Sequence, residues 1–320
     1  MQVARRIDVH QHVVPPFWVQ ALEEHGGDPS GWHSPAWSPS DAIAFMDNQG
    51  IDTGILSLTA PAIAGWKGAE RREMARRINE YTAGLVEKHP TRFGNFATLT
   101  LPDIDGALRE MEYALDVLRA DGVILLSNYE NKYLGDPLFE QLWAELDRRN
   151  ALVFVHPSKP AIPAIDGLPG PFVDYPFDTT RTAVHLVARG VPNRYRRLTI
   201  ILSHAGGFLP YAAHRFAELM AAMTPDGPET NEILDTFQRF YFDTAMSSGP
   251  AALPSLLAFC GSRKVLFGSD FPYAPTSVSA SFTRKLDEYA GFSPVDLDMI
   301  NHGNAARLFS RLVRKSDAAQ

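Results

Sequence analysis

The chain is poor in cysteine: Cys260 stands alone among 320 residues. An intrachain disulfide and a cysteine-based zinc site are therefore excluded. No apolar run approaches the roughly 20 residues of a membrane-spanning helix. The first dozen residues carry Arg5 and Arg6, but no apolar stretch comes after them as in a secretory signal. No long basic run is present, and Asp plus Glu outnumber Lys plus Arg by 37 to 30. The electrostatic footprint of a nucleic-acid binder is therefore missing. Low-complexity segments and fixed-period repeats are absent too. A cytoplasmic protein with no membrane and no nucleic-acid partner is the expectation. Hydrophobic residues make up 45% of the chain, enough for a substantial core.

Short apolar runs alternate with longer amphipathic ones. Strands are expected at 6–10, 54–58, 93–98, 122–126, 152–156, 198–203, 240–243 and 265–268. Several are continuously apolar, as strands buried on both faces are. Helical spacing is expected at 40–48 (with Ser40 as N-cap), 69–89, 103–119, 137–149, 179–188, 209–223, 250–259, 282–289 and 294–314. Eight strand–helix units in one chain of this length suit a single α/β domain over 1–320, either an open doubly wound sheet or a TIM-like (β/α)8 barrel with a C-terminal helix at about 294–314; polar residues at the ends of several strands favour the barrel. Two long insertions come after the first and fifth strands, at 13–39 and 157–176. On a barrel both fall on the rim that carries the active site, as walls or lids.

The chemistry sits at strand ends. His10 and His12 are two apart, so a strand presents both on one face. His156 ends LVFVH, His204 ends IILSH, and Asp270 ends VLFGSD. Imidazole and carboxylate together suit borderline or hard divalent ions. Three His and one Asp suffice for a metal site, leaving one His for proton transfer. The aromatics Trp18, Trp32, Phe172 and Phe271 are candidates to line a pocket for a ring. His25, His33, His89, His185, His214 and His302 fall on loops or helical patterns.

DVHQH near the start, FVHPS, LSHAGG, FGSDFPY and the closing GNAARLF resemble, in that order, the amidohydrolase superfamily. The resemblance narrows to its aminocarboxymuconate semialdehyde and γ-resorcylate decarboxylase branch. DYPFDTTRTA and GGDPSGWHSPAWSP are more similar to 6-methylsalicylate decarboxylase-type proteins. The resemblance implies an amidohydrolase-type barrel with one divalent ion, Zn²⁺ ahead of Mn²⁺, and no organic cofactor. It implies His10, His12, His156 and Asp270 as metal ligands and His204 as the catalytic histidine, with Asp270 able to share the proton. It implies a homodimer in which Arg215 reaches the substrate carboxylate in the neighbouring subunit. Trp18 and Phe271 remain candidate substrate contacts. The fourth strand ends Leu125-Leu126-Ser127-Asn128 without the lysine that bridges two metals in binuclear relatives, which favours one ion. The expected activity is non-oxidative decarboxylation of a small hydroxybenzoate-like or enol-type acid. The alternative is metal-dependent hydrolysis of a lactone, amide or ester by the same residues.

Overall fold

The computed structural model describes residues 5–163 and 165–312. Eight parallel strands form one sheet in chain order: β1 (Arg6–His12), β2 (Ile51–Ser57), β3 (Phe93–Thr98), β4 (Gly122–Leu126), β7 (Leu152–His156), β8 (Thr199–Leu202), β9 (Tyr241–Asp243) and β10 (Val265–Leu266). A small antiparallel hairpin, β5 (Asn128–Tyr129) with β6 (Lys132–Tyr133), lies just after β4. The sheet closes through the segment after β10. Val9 N–H donates to the Phe267 carbonyl at 3.0 Å, His12 N–H to Phe271 at 2.8 Å, and Asp270 N–H back to His10 at 2.8 Å. The expected (β/α)8 barrel is thus present, and no helix among the described residues is long and apolar enough to cross a membrane.

Ile7, Val9, Ile55, Phe96, Ile124, Phe154, Ile201 and Leu266 fill the barrel interior, sealed from below by Ala305 and Phe309. Simple alternation along β1 would then turn His10 and His12 away from this interior. The register resolves the conflict. Asp8 faces Gly54 and Gln11 faces Leu56, so three steps on β1 match two on β2. The extra residue is a bulge, which inverts the facing of the residues beyond it. Ile7 and Val9 plug the barrel, and His10 and His12 point into its upper mouth.

The helices are α1 (Pro16–Glu24), α2 (Pro39–Gln49), α3 (Gly68–Lys88), α4 (Ile104–Glu112), α5 (Glu140–Arg148), α6 (Gly170–Ala188), α7 (Val191–Arg194), α8 (Leu209–Ala222), α9 (Thr230–Phe237), α10 (Ala252–Cys260), α11 (Thr276–Asp287), α12 (Pro294–Asp298) and α13 (Asn304–Leu308). Several correct the sequence reading. The insertion after β1 contains α1, and α9 lies unforeseen before β9. Ser38, not Ser40, caps α2, accepting from Asp41 N–H at 3.1 Å. Helix α6 begins at Gly170 and runs through Pro176, nine residues ahead of the expected start at 179. Proline lacks the donor for the preceding turn; one turn on, the Thr180 hydroxyl donates to the Pro176 carbonyl and accepts from Phe208 N–H, each at 2.8 Å. The expected C-terminal helix is broken into α12, a π-turn at Met299–Gly303, and α13. Its last two positions, 313 and 314, lie outside the described residues.

Asp178, fully buried on α6, ties the helix to the strand ends. Its carboxylate accepts from the Ser127 hydroxyl, from Asn128 Nδ2 at 2.9 Å and from Tyr133 OH at 2.5 Å. The position after β4 where a bridging lysine would stand is thereby taken up by this network. Asp178→Ala leaves three donors without this acceptor. It is expected to destabilise the fold by about 3 kcal/mol, read as a lower denaturation midpoint with an unchanged slope.

Candidate metal centre and active-site cavity

Strands β1, β7 and β8 and the loop after β10 deliver His10, His12, His156, His204 and Asp270 to one end of the barrel. One nitrogen or oxygen each from His10, His156, His204 and Asp270 lie within 4.8 Å of one another. His12 belongs to the same floor. Its Nε2 is 3.1 Å from His10 Nε2 and 3.1 Å from Asp270 Oδ1, and His10 Nε2 is 3.2 Å from that oxygen. Ligands about 2.1 Å from an ion and nearly at right angles stand about 3.0 Å apart. These separations therefore fit neighbouring ligands of one divalent ion.

The remaining ring nitrogens say which imidazoles are held for that task. His10 Nδ1 is 2.7 Å from Asp243 Oδ2, and His12 Nδ1 is 3.2 Å from the Ser57 carbonyl. His156 Nδ1 is 2.8 Å from the Pro157 carbonyl. An acceptor at Nδ1 fixes the proton there and leaves the Nε2 lone pair for a metal. His204 differs: its Nδ1 is buried with no partner among the described residues, and its Nε2 sits 3.4 Å from Asp270 Oδ2.

Electrostatics agree with a cation site. Burial disfavours charge on His10, but the Asp243 and Asp270 carboxylates outweigh it and lift the imidazole to about 10. Burial would raise the Asp270 carboxyl, yet the neighbouring histidines hold it well below the usual range. Burial and the surrounding imidazoles push His156 well down. Two buried carboxylates thus demand positive charge, and the floor's donor set of imidazoles and a carboxylate fits a divalent ion that would supply it.

Three residues of the site carry backbone strain. His204 (φ 52°), Asp270 (φ 60°) and Met246 (φ 48°) all adopt left-handed conformations at strand ends. Such residues cost about 1–3 kcal/mol each and persist where their surroundings over-determine them. For His204 the anchor is its N–H, which donates to Asp243 Oδ1 at 2.9 Å. Gly207 (φ 65°) comes three residues later, and a Cβ there would collide with the Pro176 carbonyl of α6.

Above the floor opens a cavity of about 810 Å³. Both insertions wall it: Asp28 and Trp32 come from the first, Phe172 and Tyr175 from the second. Trp18 and Phe271, expected as substrate contacts, are placed elsewhere. Trp18 is fully buried in the core and donates its indole N–H to the Ala62 carbonyl at 2.7 Å. Phe271 stacks on Phe45, ring centres 4.1 Å apart, behind the cavity wall. Arg215 is exposed on α8, one turn beyond Tyr211 at the cavity rim. His25 packs against Trp66 and pairs with Glu70 outside the cavity.

Asp243 was missed from sequence, although FYFD ends an apolar strand in a polar residue just as the recognised segments do. Tyr175, Tyr273 and Thr59 also face the cavity; nothing in the local pattern set them apart from core or loop residues. Asp243→Asn keeps the shape but removes the charge that orients His10. Metal affinity is expected to fall about 10–100-fold, measured by competition with a chelating indicator.

Comparison with known proteins agrees with this geometry. The amidohydrolase family pattern matches residues 7–311. The chain is 42% identical over 321 residues to 6-methylsalicylic acid decarboxylase of Aspergillus aculeatus, covering 97% of each chain. It is 31% identical over 284 residues to gamma-resorcylate decarboxylase of Polaromonas sp., covering 83% of this chain and 86% of that one. A solved dihydroxybenzoic acid decarboxylase from Polaromonas sp., with bound manganese and the inhibitor 2-nitroresorcinol, superposes with a TM-score of 0.79 at 27% identity over 100% of both chains. A barrel closed through Asp270, a floor of histidines at its strand ends and a match over nearly the whole length make this chain a member of the amidohydrolase family.

Proposed function

We propose that the protein is a metal-dependent, non-oxidative decarboxylase of a small hydroxybenzoate-like acid, working without an organic cofactor. The observation that carries this reading is an ionic His/Asp floor beneath a largely apolar cavity. The relatives named above for decarboxylation of 6-methylsalicylic and γ-resorcylic acids support it. Hydrolysis, the alternative from sequence, has no support of its own among them.

His10, His12, His156 and Asp270 would hold one divalent ion, Zn²⁺ by ligand type or Mn²⁺ as in the Polaromonas structure. When bound, that ion supplies a Lewis acid against the negative charge developing on the substrate oxygens, worth several kcal/mol. The chain does the rest. The apolar walls seat the ring and exclude water, which strengthens every charge interaction at the floor. His204 and Asp270, both lining the cavity and 3.4 Å apart, hold the proton between them. They deliver it to the ring carbon that bears the carboxylate. The carbon–carbon bond then breaks, CO2 leaves, and the electron pair returns to the ring. The unanchored Nδ1 of His204 suits a ring that trades protons rather than one locked to a metal.

No Lys or Arg is among the described residues lining the cavity. The proposal therefore includes a homodimer in which the partner subunit's Arg215 faces the substrate carboxylate. The exposed rim around Tyr211, 87% accessible, supports a contact there. A lone cysteine suits a cytoplasmic enzyme.

Elemental analysis paired with CO2 release from 6-methylsalicylate and γ-resorcylate tests the core of this. One metal per chain and CO2 release are expected; two metals per chain would contradict the single-ion site. His156→Ala and Asp270→Ala are expected to lose metal and activity together. His204→Ala keeps the metal and loses turnover by about 100-fold or more; retained turnover would remove its catalytic role. Mixing His204→Ala with Arg215→Ala subunits is expected to restore part of the activity through mixed dimers. No recovery, with mixed dimers shown to form, would count against a contribution from the neighbouring subunit.

A further inference from the structure

The cavity is larger than the reaction requires. A single-ring acid occupies roughly 150 Å³, about five waters at about 30 Å³ each, against about 810 Å³ available. Seated with its carboxylate toward His156, His204 and Asp270, such a ring leaves most of the space empty. Part of it is a slot lined by α10 and α11. Helix α10 contributes Ala252, Ser255 and Leu256, and α11 contributes Val278 and Phe282; Met246, after β9, lines the same cavity. Positions 252, 255 and 256, and likewise 278 and 282, are the spacing of one helix face. Both helices therefore turn a small or apolar stripe toward the same slot. Val278 remains 36% exposed there. The slot is continuous with the floor and carries no cationic side chain among the described residues.

Resting on the decarboxylase reading of the floor, we propose that the substrate class is an ortho-hydroxy aromatic acid bearing an extended apolar substituent, an alkyl chain or a second ring, which lies in the slot between α10 and α11. The aromatic head meets the reacting groups, and the tail displaces water from Leu256, Val278 and Phe282. Each buried methylene strengthens binding about fourfold at full burial.

The test uses the full-length, Mn²⁺-loaded protein and two parallel series. In the first, CO2 release is followed from salicylates carrying 6-methyl, 6-propyl, 6-pentyl and carboxylate-ended 6-pentyl groups. The expected kcat/KM rises roughly twofold to fourfold per methylene, and the charged tail loses that gain. In the second, calorimetry tracks binding of the matching 3-alkylphenols, the products, whose Kd is expected to fall along the series whether or not any acid is turned over. Ala252→Phe fills the slot and is expected to abolish the chain-length gain in both series; Ser255→Leu is a second filler should the first not fold. CO2 from 6-methylsalicylate with flat or worsening values along both series would overturn the slot. Phenols that tighten with length, with no CO2 from any acid, would keep the slot and remove the decarboxylase reading. A gain with length that both filled variants retain would place the tail elsewhere and overturn the assignment.

Discussion

Asp270 gives its N–H to the His10 carbonyl while its carboxylate faces Nε2 of both His10 and His12. Residues 265–271 thus close the barrel along β1 and complete the ionic floor with the same residue. The coupling matters because the floor is costly. Asp243 and Asp270 are buried, and buried carboxylates must be compensated by nearby positive charge. Closure brings the imidazoles within reach, so the fold and the charge balance of the site stand or fall together. Asp243 extends this logic downward. One oxygen orients the His10 ring and the other holds the left-handed backbone of His204. A single carboxylate therefore serves both a metal-facing histidine and the histidine assigned to proton transfer.

The site has two media. Below lie charged groups in fixed hydrogen bonds. Above lie aromatic and aliphatic walls drawn from both insertions and from α8, α10 and α11. A substrate carboxylate entering such a space gives up water and meets preorganised charge, the condition under which electrostatic stabilisation is largest. The strained residues His204, Met246 and Asp270 all sit at the boundary between these media. The packing and closure hydrogen bonds beneath them hold these conformations in place.

Much of this was legible in the chain. Continuous apolar runs such as LVFVH and IILSH announced strands buried on both faces, and their polar last residues announced a rim. The edges of β3, β4 and β7 match expectation. The helices were harder. Pro176 was read as loop because proline removes a helical donor, yet α6 runs through it, with Thr180 bonding to the Pro176 carbonyl. The segment 294–314 has helical periodicity throughout, yet its middle turn widens to a π-turn. Trp18 and Phe271 show the same limit among side chains: ring chemistry is evident from the residue, whereas burial depends on neighbours from distant segments, Ala62 and Phe45.

The sequence by itself determined the strand–helix alternation, the set of His and Asp residues at strand ends, and the lack of a lysine after β4. These are local properties, written in periodicity and residue type. Tertiary structure alone decided which face His10 and His12 present, because a bulge between Asp8 and Gln11 sets the register only against β2. It alone joined Asp243 to His10 across 233 positions, and it alone opened the slot between α10 and α11. Register, long-range pairing and empty volume arise from how segments meet, and no window along the chain contains both partners.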